Sequence, residues 1–441
     1  MSHMKAAVVG AGWAGLAAAT ALREAGAHVT VFEAGRTPGG RARRVAQPGF
    51  DTMLDNGQHI LLGAYTQTLA LMRRLGRNPD TLLLRRPLRL ASLDGLLRLS
   101  APALPPPWHG AAALLTARGL RWRDKLAAIR FVRSLQACNW KPLSVWTVAE
   151  LLRHRRQPAA VVELLWTPIC LAALNTPPEE ASAELFARVL EDALAGTSRD
   201  SDMLLPCVDL SSLWPDAATL HLTVRYHSTV RRMLIDADSV VINDERFDTA
   251  VLAVPPQIAA RLLDDAPQAQ GTAELLGDLR SFDHQPIATL NLKLARPWPL
   301  PEPMLMLREN PARNHWGQWI FDRSRLTGRG AELAVVASAA RTLADMPKAA
   351  AIAALVEQIR GQAAVGGLPA LPAIEQSELY VEKRATFTAR PRQPRPRNTT
   401  PWPRLALAGD WTDTGYPGVL EGAVRSGLQA AEVLLAQRSS P

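Results

Sequence analysis

Three glycines at positions 10, 12 and 15, set between two short apolar runs, limit the folds open to this chain more than any other feature. From Lys5 the chain reads KAAVVGAGWAG, then an Ala/Leu-periodic stretch from Leu16 to Ala25, then Gly26, then HVTVFE ending at Glu33. Strand, glycine turn, helix and strand in that order make a βαβ unit, which builds a parallel sheet with a right-handed crossover. Gly10 permits the tight turn, Gly12 lets backbone approach a pyrophosphate, and Gly15 lets the helix lie close to the strand. The helix start then offers free N–H groups and partial positive charge to phosphates. GxGxxG alone is weak evidence, but here Ala19, Leu22, Gly26, Val29, Val31 and Glu33 fall in the same register. Glu33 stands where a carboxylate accepts the ribose hydroxyls of an adenosine.

The C-terminal end completes such a site. In RLALAGDWTDTGYPGVLEGAVRSGLQAAEVLL, Leu405 to Ala408 reads as a short buried strand, Gly409–Asp410 as a turn, and a helix follows from about Val419. Ligands of open α/β sheets lie at the carboxyl ends of the strands, so Asp410 is expected beside the same ligand. Between these ends the chain alternates. Leu88 to Leu99 reads as a hairpin turning at Asp94–Gly95, Pro102 to Trp108 as a Pro-rich break, and Gly110 to Ala195 as mostly helical. His221 to Ile235 suggests paired strands, and Thr249 to Pro256 a buried strand with a Pro stop. Further strands are expected at Ile287 to Leu294, Trp316 to Phe321, Leu333 to Ser338 and Glu378 to Lys383, with a helix at Lys348 to Gln362. RPRQPRPRNTTPWP is a basic, Pro-rich linker before the last strand. The nucleotide-binding domain is thus expected to be discontinuous, over residues 4–85, 215–262 and 398–441. A substrate domain of sheet and helices fills 86–214 and 263–397.

Charge narrows the partners. The 50 Lys+Arg against 41 Asp+Glu give a formal charge of +9, which suits nucleic acid or an anionic membrane. The arginines are spread and carry no nucleic-acid motif, so no nucleic-acid partner is expected. Cys138, Cys170 and Cys207 lack metal-ligand or CxxC spacing, which argues for a reducing compartment and against disulfides or a metal. No run of eighteen apolar residues suggests a transmembrane helix. The N-terminal apolar run lacks a basic leader and reads as mature protein. A cytoplasmic protein is expected, with peripheral contact at the inner face of the cell membrane. Trp108, Trp122 and Trp140 lie among Leu, Ile and Arg in a stretch suited to a membrane interface or to helical packing.

TPGGRARR, with Gly39, Gly40 and Arg41, resembles the extension that follows the ribose-binding acid in the amine oxidase and carotenoid desaturase superfamily of flavoproteins. The resemblance implies FAD, with Gly40 and Arg41 along its pyrophosphate and ribityl chain. It also puts Gly409 and Asp410 beside the ribityl–pyrophosphate region, and Val230 in the segment that caps adenine. Gly418 and Val419 start a helix aimed at the flavin pyrimidine. Covalent members carry a Cys in the stretch that here reads TDTGYPG, so attachment is expected to be non-covalent. The fold implied is α/β, a Rossmann-like FAD-binding domain interleaved with an amine oxidase-like α+β substrate domain. No second GxGxxG provides an NAD(P) domain, so an external electron donor is expected.

Leu54 to Gly76 (LDNGQHILLGAYTQTLALMRRLG), Leu165 to Leu194 with ALNTPPEEAS, and Leu204 to Pro215 narrow the resemblance to the hydroxysqualene dehydroxylases of hopanoid pathways. What this implies is reductive removal of an allylic hydroxyl from hydroxysqualene, a hydrophobic C30 isoprenoid, with hydride delivered from N5 of reduced flavin. Protonating the leaving oxygen lowers the barrier to its loss. Gly57, Gln58 and His59 lie in the loop resembling the family's flavin-face segment, making His59 the leading acid candidate. Asp55, Tyr416 and Glu421 are alternatives. A carotenoid- or phytoene-type desaturase, an amine oxidase, and a non-catalytic flavin-binding partner in isoprenoid synthesis stay open as rival readings.

Overall fold

The computed structural model describes residues 4–106 and 108–439, without the side chains of residues 438 and 439. Its first sheet is parallel. The strands Lys5–Val9 (β1), His28–Phe32 (β2), Thr223–Arg225 (β3) and Thr249–Leu252 (β4) join the strand Leu405–Leu407 in the order β3–β2–β1–β4–(405–407). β1 is central and, past its first residue, buried throughout, as an apolar run covered on both faces should be. The helix Trp13–Glu24 (α1) begins three residues before the expected start, and β2 ends one residue before Glu33. α1 buries a nearly continuous run of Ala and Leu against this sheet and the C-terminal helix Leu420–Ser439. A Cβ on Gly15 would sit 1.9 Å from the Gly10 carbonyl oxygen, so only glycine admits this helix-to-strand spacing.

The second sheet is antiparallel. It comprises His284–Leu294 (β5), Met304–Met306 (β6), Trp319–Asp322 (β7), Glu332–Ala337 (β8) and Ile374–Phe387 (β9), in the order β6–β7–β8–β5–β9. The period-two alternation of strands divides its faces. Ile320, Leu290, Leu292 and Val335 pack with Leu355 and Ile359 of the helix Lys348–Val365. Trp319, Phe321 and Val336 face the other way, toward a cavity shared with the parallel sheet. The helix Thr66–Arg74 (α2) packs beside the C-terminal helix, and Trp108–Thr116 (α3), Trp122–Ala137 (α4), Thr167–Leu174 (α5) and Ala183–Leu194 (α6) wall an adjoining cavity.

Two expectations need correction. The segment His221–Ile235 does not pair with itself. Thr223–Arg225 edges the parallel sheet, whereas Met233–Ile235 pairs antiparallel with Val240–Ile242, because the chain turns at His227, whose φ is +53°. Leu204, Leu210, Leu213 and Trp214, read with the substrate segment, pack in the core beside α1 and the parallel sheet, whereas Met203 and Leu205 stay with the other core. Met203–Pro206 pairs with Leu61–Leu62 and Leu83–Arg86, and Trp214 meets Trp13 edge-on at 5.0 Å. The hairpin Arg89–Ala91 with Arg98–Ser100 forms about its Asp94 turn.

Candidate active site

A cavity of about 550 Å³ opens at the carboxyl ends of the parallel strands and is lined from both sheets. Gly10, Gly12, Glu33, Gly40, Arg41, Gly57, Gln58, His59, Val230, Gly409, Asp410, Gly418 and Val419 all line it. Gly15 does not; it supports the turn from behind. The Glu33 carboxylate accepts the Ala11 N–H at 2.8 Å and the Gly35 N–H at 2.6 Å, which fixes it while leaving lone pairs for two hydroxyls. Gly40, with φ +61°, stands so close to Gly12 that a Cβ on it would lie 3.0 Å from the Gly12 Cα. Two bare backbone turns therefore meet where a pyrophosphate would approach. Arg41 donates to the Ala385 carbonyl at 2.9 Å and pairs with Asp410 at 2.5 Å. Burial works against the guanidinium's charge, yet the Asp410 contacts outweigh it and hold its pKa above the ordinary value. Gly418, Val419 and Leu420 bring the start of the C-terminal helix to the same cavity. A ribose-binding acid, a bare pyrophosphate cradle and a helix start in one cleft fit an adenine dinucleotide with a flavin at its far end.

The acid candidates separate. His59 lines the cavity, with its Nδ1 2.7 Å from the Gly57 carbonyl oxygen. A carbonyl only accepts, so Nδ1 carries the proton and Nε2 presents a lone pair. Burial, with a lesser push from Arg41, lowers the His59 pKa against the support of Gly57, so the ring is held neutral. A lowered pKa disfavours the charged ring, so toward the cavity His59 serves more readily as an acceptor than as an acid. Gln58 receives Arg323 Nη1 at 3.0 Å, and Arg323 also donates to the Met53 carbonyl. Asp55 and Glu421 do not line this cavity. Asp55 accepts the Leu210 N–H at 2.9 Å, and burial pushes its pKa up to about 7. Glu421 is fully buried and accepts the Gln67 and Thr68 N–H groups and the Thr68 hydroxyl, capping the first turn of α2. Both are structural acceptors.

Tyr416 belongs to a second cavity, of about 190 Å³, that abuts the first. The two share Ile60, Tyr65, Ala172, Ala173, Trp319 and Val419 as walls. Leu88, Leu90, Leu99, Leu114, Val132, Leu165 and Ile169 make the second an apolar tunnel, and only Tyr65, Arg188, Asp192 and Tyr416 bring oxygen or charge to it. Arg188 Nη2 donates to Asp192 at 2.7 Å and to the Tyr416 hydroxyl at 2.7 Å. Tyr65, Arg188 and Asp192 escape sequence reasoning. Arg188 and Asp192 stand four residues apart on α6, the spacing of an ordinary solvated helix pair. Arg395, in the expected linker, is likewise missed. Its half-buried guanidinium donates to the carbonyls of Asp410, Trp411, Thr412 and Tyr416, tying down the loop between the cavities.

The fold and this cleft define a flavin-dependent oxidoreductase. The chain belongs to the flavin containing amine oxidoreductase family, whose pattern matches residues 13–435. It is 28% identical to a hydroxysqualene dehydroxylase of Rhodopseudomonas palustris, over 97% of this chain and 98% of that one. A 15-cis-phytoene desaturase of Synechococcus elongatus is 25% identical over 99% of this chain and 96% of that one. Among solved structures, cyclohexylamine oxidase from Brevibacterium oxydans superposes with a TM-score of 0.71 at 19% identity, covering 99% of this chain and 100% of that one.

Proposed function

We propose that the protein binds FAD non-covalently and uses its reduced form to remove the allylic hydroxyl of hydroxysqualene, giving squalene and water. The observation that carries this reading is the apolar tunnel sharing a wall with the cofactor cavity, with its few polar groups gathered on Tyr65, Arg188, Asp192 and Tyr416. A wholly hydrocarbon substrate has no use for such groups, and a small amine has no use for so much apolar lining. The full-length similarity to hydroxysqualene dehydroxylases from several bacteria supports the same substrate. None of the three cysteines lines the cofactor cavity, which agrees with non-covalent attachment.

Bound reduced flavin would supply the hydride and its electron pair. Glu33 would hold the ribose, and the Gly12–Gly40 cradle the pyrophosphate. The start of the C-terminal helix would favour negative charge on the reduced ring. The tunnel walls exclude water, which strengthens every polar contact made inside them. The phytoene desaturase relative supports a second reading, in which electrons run from substrate to flavin. Incubating the protein anaerobically with reduced flavin and hydroxysqualene tests both. Flavin reoxidation with stoichiometric squalene is the expected result. Flavin that stays reduced, although the alcohol is bound, overturns dehydroxylation and turns the search to substrates that reduce the oxidised form.

Access to the substrate also belongs to the proposal. Helix α3 gives Gly110, Ala113 and Leu114 to the tunnel and exposes Trp108 and Leu115, and α4 exposes Trp122 at its first residue. Exposed Arg118, Arg121 and Arg123 interleave with them. This is the composition of a face that rests on an anionic bilayer. Trp140, expected with the other two, is instead buried in the helical core. No helix among the described residues is long and apolar enough to cross a membrane.

A further inference from the structure

We propose that Asp192, positioned by Arg188 and assisted by Tyr416, receives the substrate hydroxyl and gives it the proton with which it leaves as water. The inference rests on the dehydroxylation reading above. Its basis is the position of the cluster. Pro417 and Tyr416 face the tunnel and Gly418 faces the cofactor cavity, with Val419 facing both, so one loop crosses the shared wall with Tyr416 at the crossing. Tyr65, which lines both cavities, stands on the other side of that crossing. The polar cluster therefore sits at the cofactor end of a tunnel whose other side chains are apolar. An alcohol borne on a hydrocarbon has no other charged partner there.

The hydrogen-bond directions fit the role. The Tyr416 hydroxyl oxygen accepts from Arg188, and its own proton is directed at the Asp192 carboxylate, which ties the phenol to the acid it assists. The guanidinium of Arg188 also lies 4.7 Å from the Tyr416 ring centre, and that of Arg425 lies 4.9 Å from the same ring. Two cations thus fix the ring without blocking Asp192. Asp192 is faced by Arg188 and Glu191 from its own helix, Tyr416 and Arg425 from the C-terminal segment, and Tyr65 from the turn before α2. Burial outweighs the pull of Arg188 and pushes the Asp192 carboxyl up to about 6, which keeps a usable fraction protonated near neutrality. In the step, the allylic carbon–oxygen bond breaks with its electron pair going to oxygen. That oxygen takes the Asp192 proton and departs as water, and the carbon would receive the hydride that bound two-electron-reduced flavin supplies. Asp192 is left as carboxylate and regains its proton from solvent.

The test follows single turnover in the reduced holoprotein, with squalene binding and flavin content measured alongside. Asp192→Asn keeps the volume and removes the acid. Squalene formation should slow at least about 100-fold, the ordinary contribution of a general acid, while flavin content and affinity for squalene hold. In the wild type the rate should fall as pH rises above about 6, and the Asn variant should lose this limb. Asp192→Glu should restore part of the rate. Tyr416→Phe should weaken hydroxysqualene binding about tenfold and leave squalene binding alone, as one lost hydrogen bond predicts. An Asn variant with wild-type rate and pH profile overturns the inference and leaves dehydroxylation standing. Equal loss of squalene binding, hydroxysqualene binding and rate in every variant overturns it in favour of a structural role. A wild type that binds hydroxysqualene and never converts it overturns the functional reading, and this inference with it.

Discussion

Asp55 shows how a buried carboxyl can be mistaken for chemistry. It lies one strand from the loop carrying His59, and its pKa is pushed up to about 7, a perturbation typical of active sites. The cause, however, is burial at 3% exposure, and its oxygen is spent on the Leu210 N–H. The native protein holds a proton that the unfolded chain gives up near pH 4. That contribution to stability is complete below the unfolded pKa and is lost as pH rises through the folded one, near 7. Asp55→Asn keeps an amide oxygen for Leu210 and never ionises. It is expected to be more stable than wild type by several kcal/mol at pH 8, narrowing to about 1–2 kcal/mol at pH 5. Urea unfolding midpoints of the two holoproteins at both pH values check this. Equal midpoints at pH 8 would mean that the Asp55 charge is relieved by Arg323 and Arg44, which face it.

At the scale of elements, the β1–turn–α1 unit carries the binding of the cofactor. A methyl group on Gly15 would press on the Gly10 carbonyl and force α1 off the strand, spoiling the phosphate-facing turn. Gly15→Ala is expected to emerge colourless and less stable by about 3 kcal/mol. Gly26→Ala is the matched control. Its φ is +88°, but an added Cβ would meet nothing within 4 Å, so it should cost about 1 kcal/mol and keep its flavin. Visible absorbance of the purified variants separates the two, and a yellow Gly15→Ala protein would sink the argument. This unit is legible in the sequence because glycine spacing and strand period are local, as are the Gly409–Asp410 turn and the helix after it. The long antiparallel strands are legible in place, though β9 runs well past the stretch that alternates clearly. The tunnel is not legible. Its polar groups come from α6 and from the turns before α2 and before the C-terminal helix, and nothing local distinguishes the Arg188–Asp192 pair from a solvated one. The linker arginine Arg395 is hidden for the same reason: its partners are backbone carbonyls, which leave no trace in residue type.

For the molecule as a whole, the two cavities share walls and α3 lines the second while exposing Trp108, so the proposed substrate route runs from the α3–α4 side to the cofactor cavity. A C30 hydrocarbon is nearly absent from water, so delivery from a bilayer would set how fast the enzyme is fed. Trp108 and Trp122 are 64% and 63% exposed, an arrangement that gains nothing in water. Each ring withdrawn from water on docking is worth roughly 1.5 kcal/mol or more. Nearby arginines add about 1 kcal/mol each against an anionic surface, an attraction that salt screens. The double variant Trp108→Ala/Trp122→Ala is therefore expected to lose about 100-fold in partition to anionic vesicles. Wild-type binding should weaken with added salt and with neutral lipid. Turnover separates docking from folding. The variant should match wild type on detergent-dispersed hydroxysqualene and fall behind only when the substrate is carried in vesicles. Loss in both formats would mean that the tryptophans support the tunnel wall through α3. Equal flotation of variant and wild type would remove the α3–α4 face as the docking surface and leave the route of the substrate to another part of the molecule.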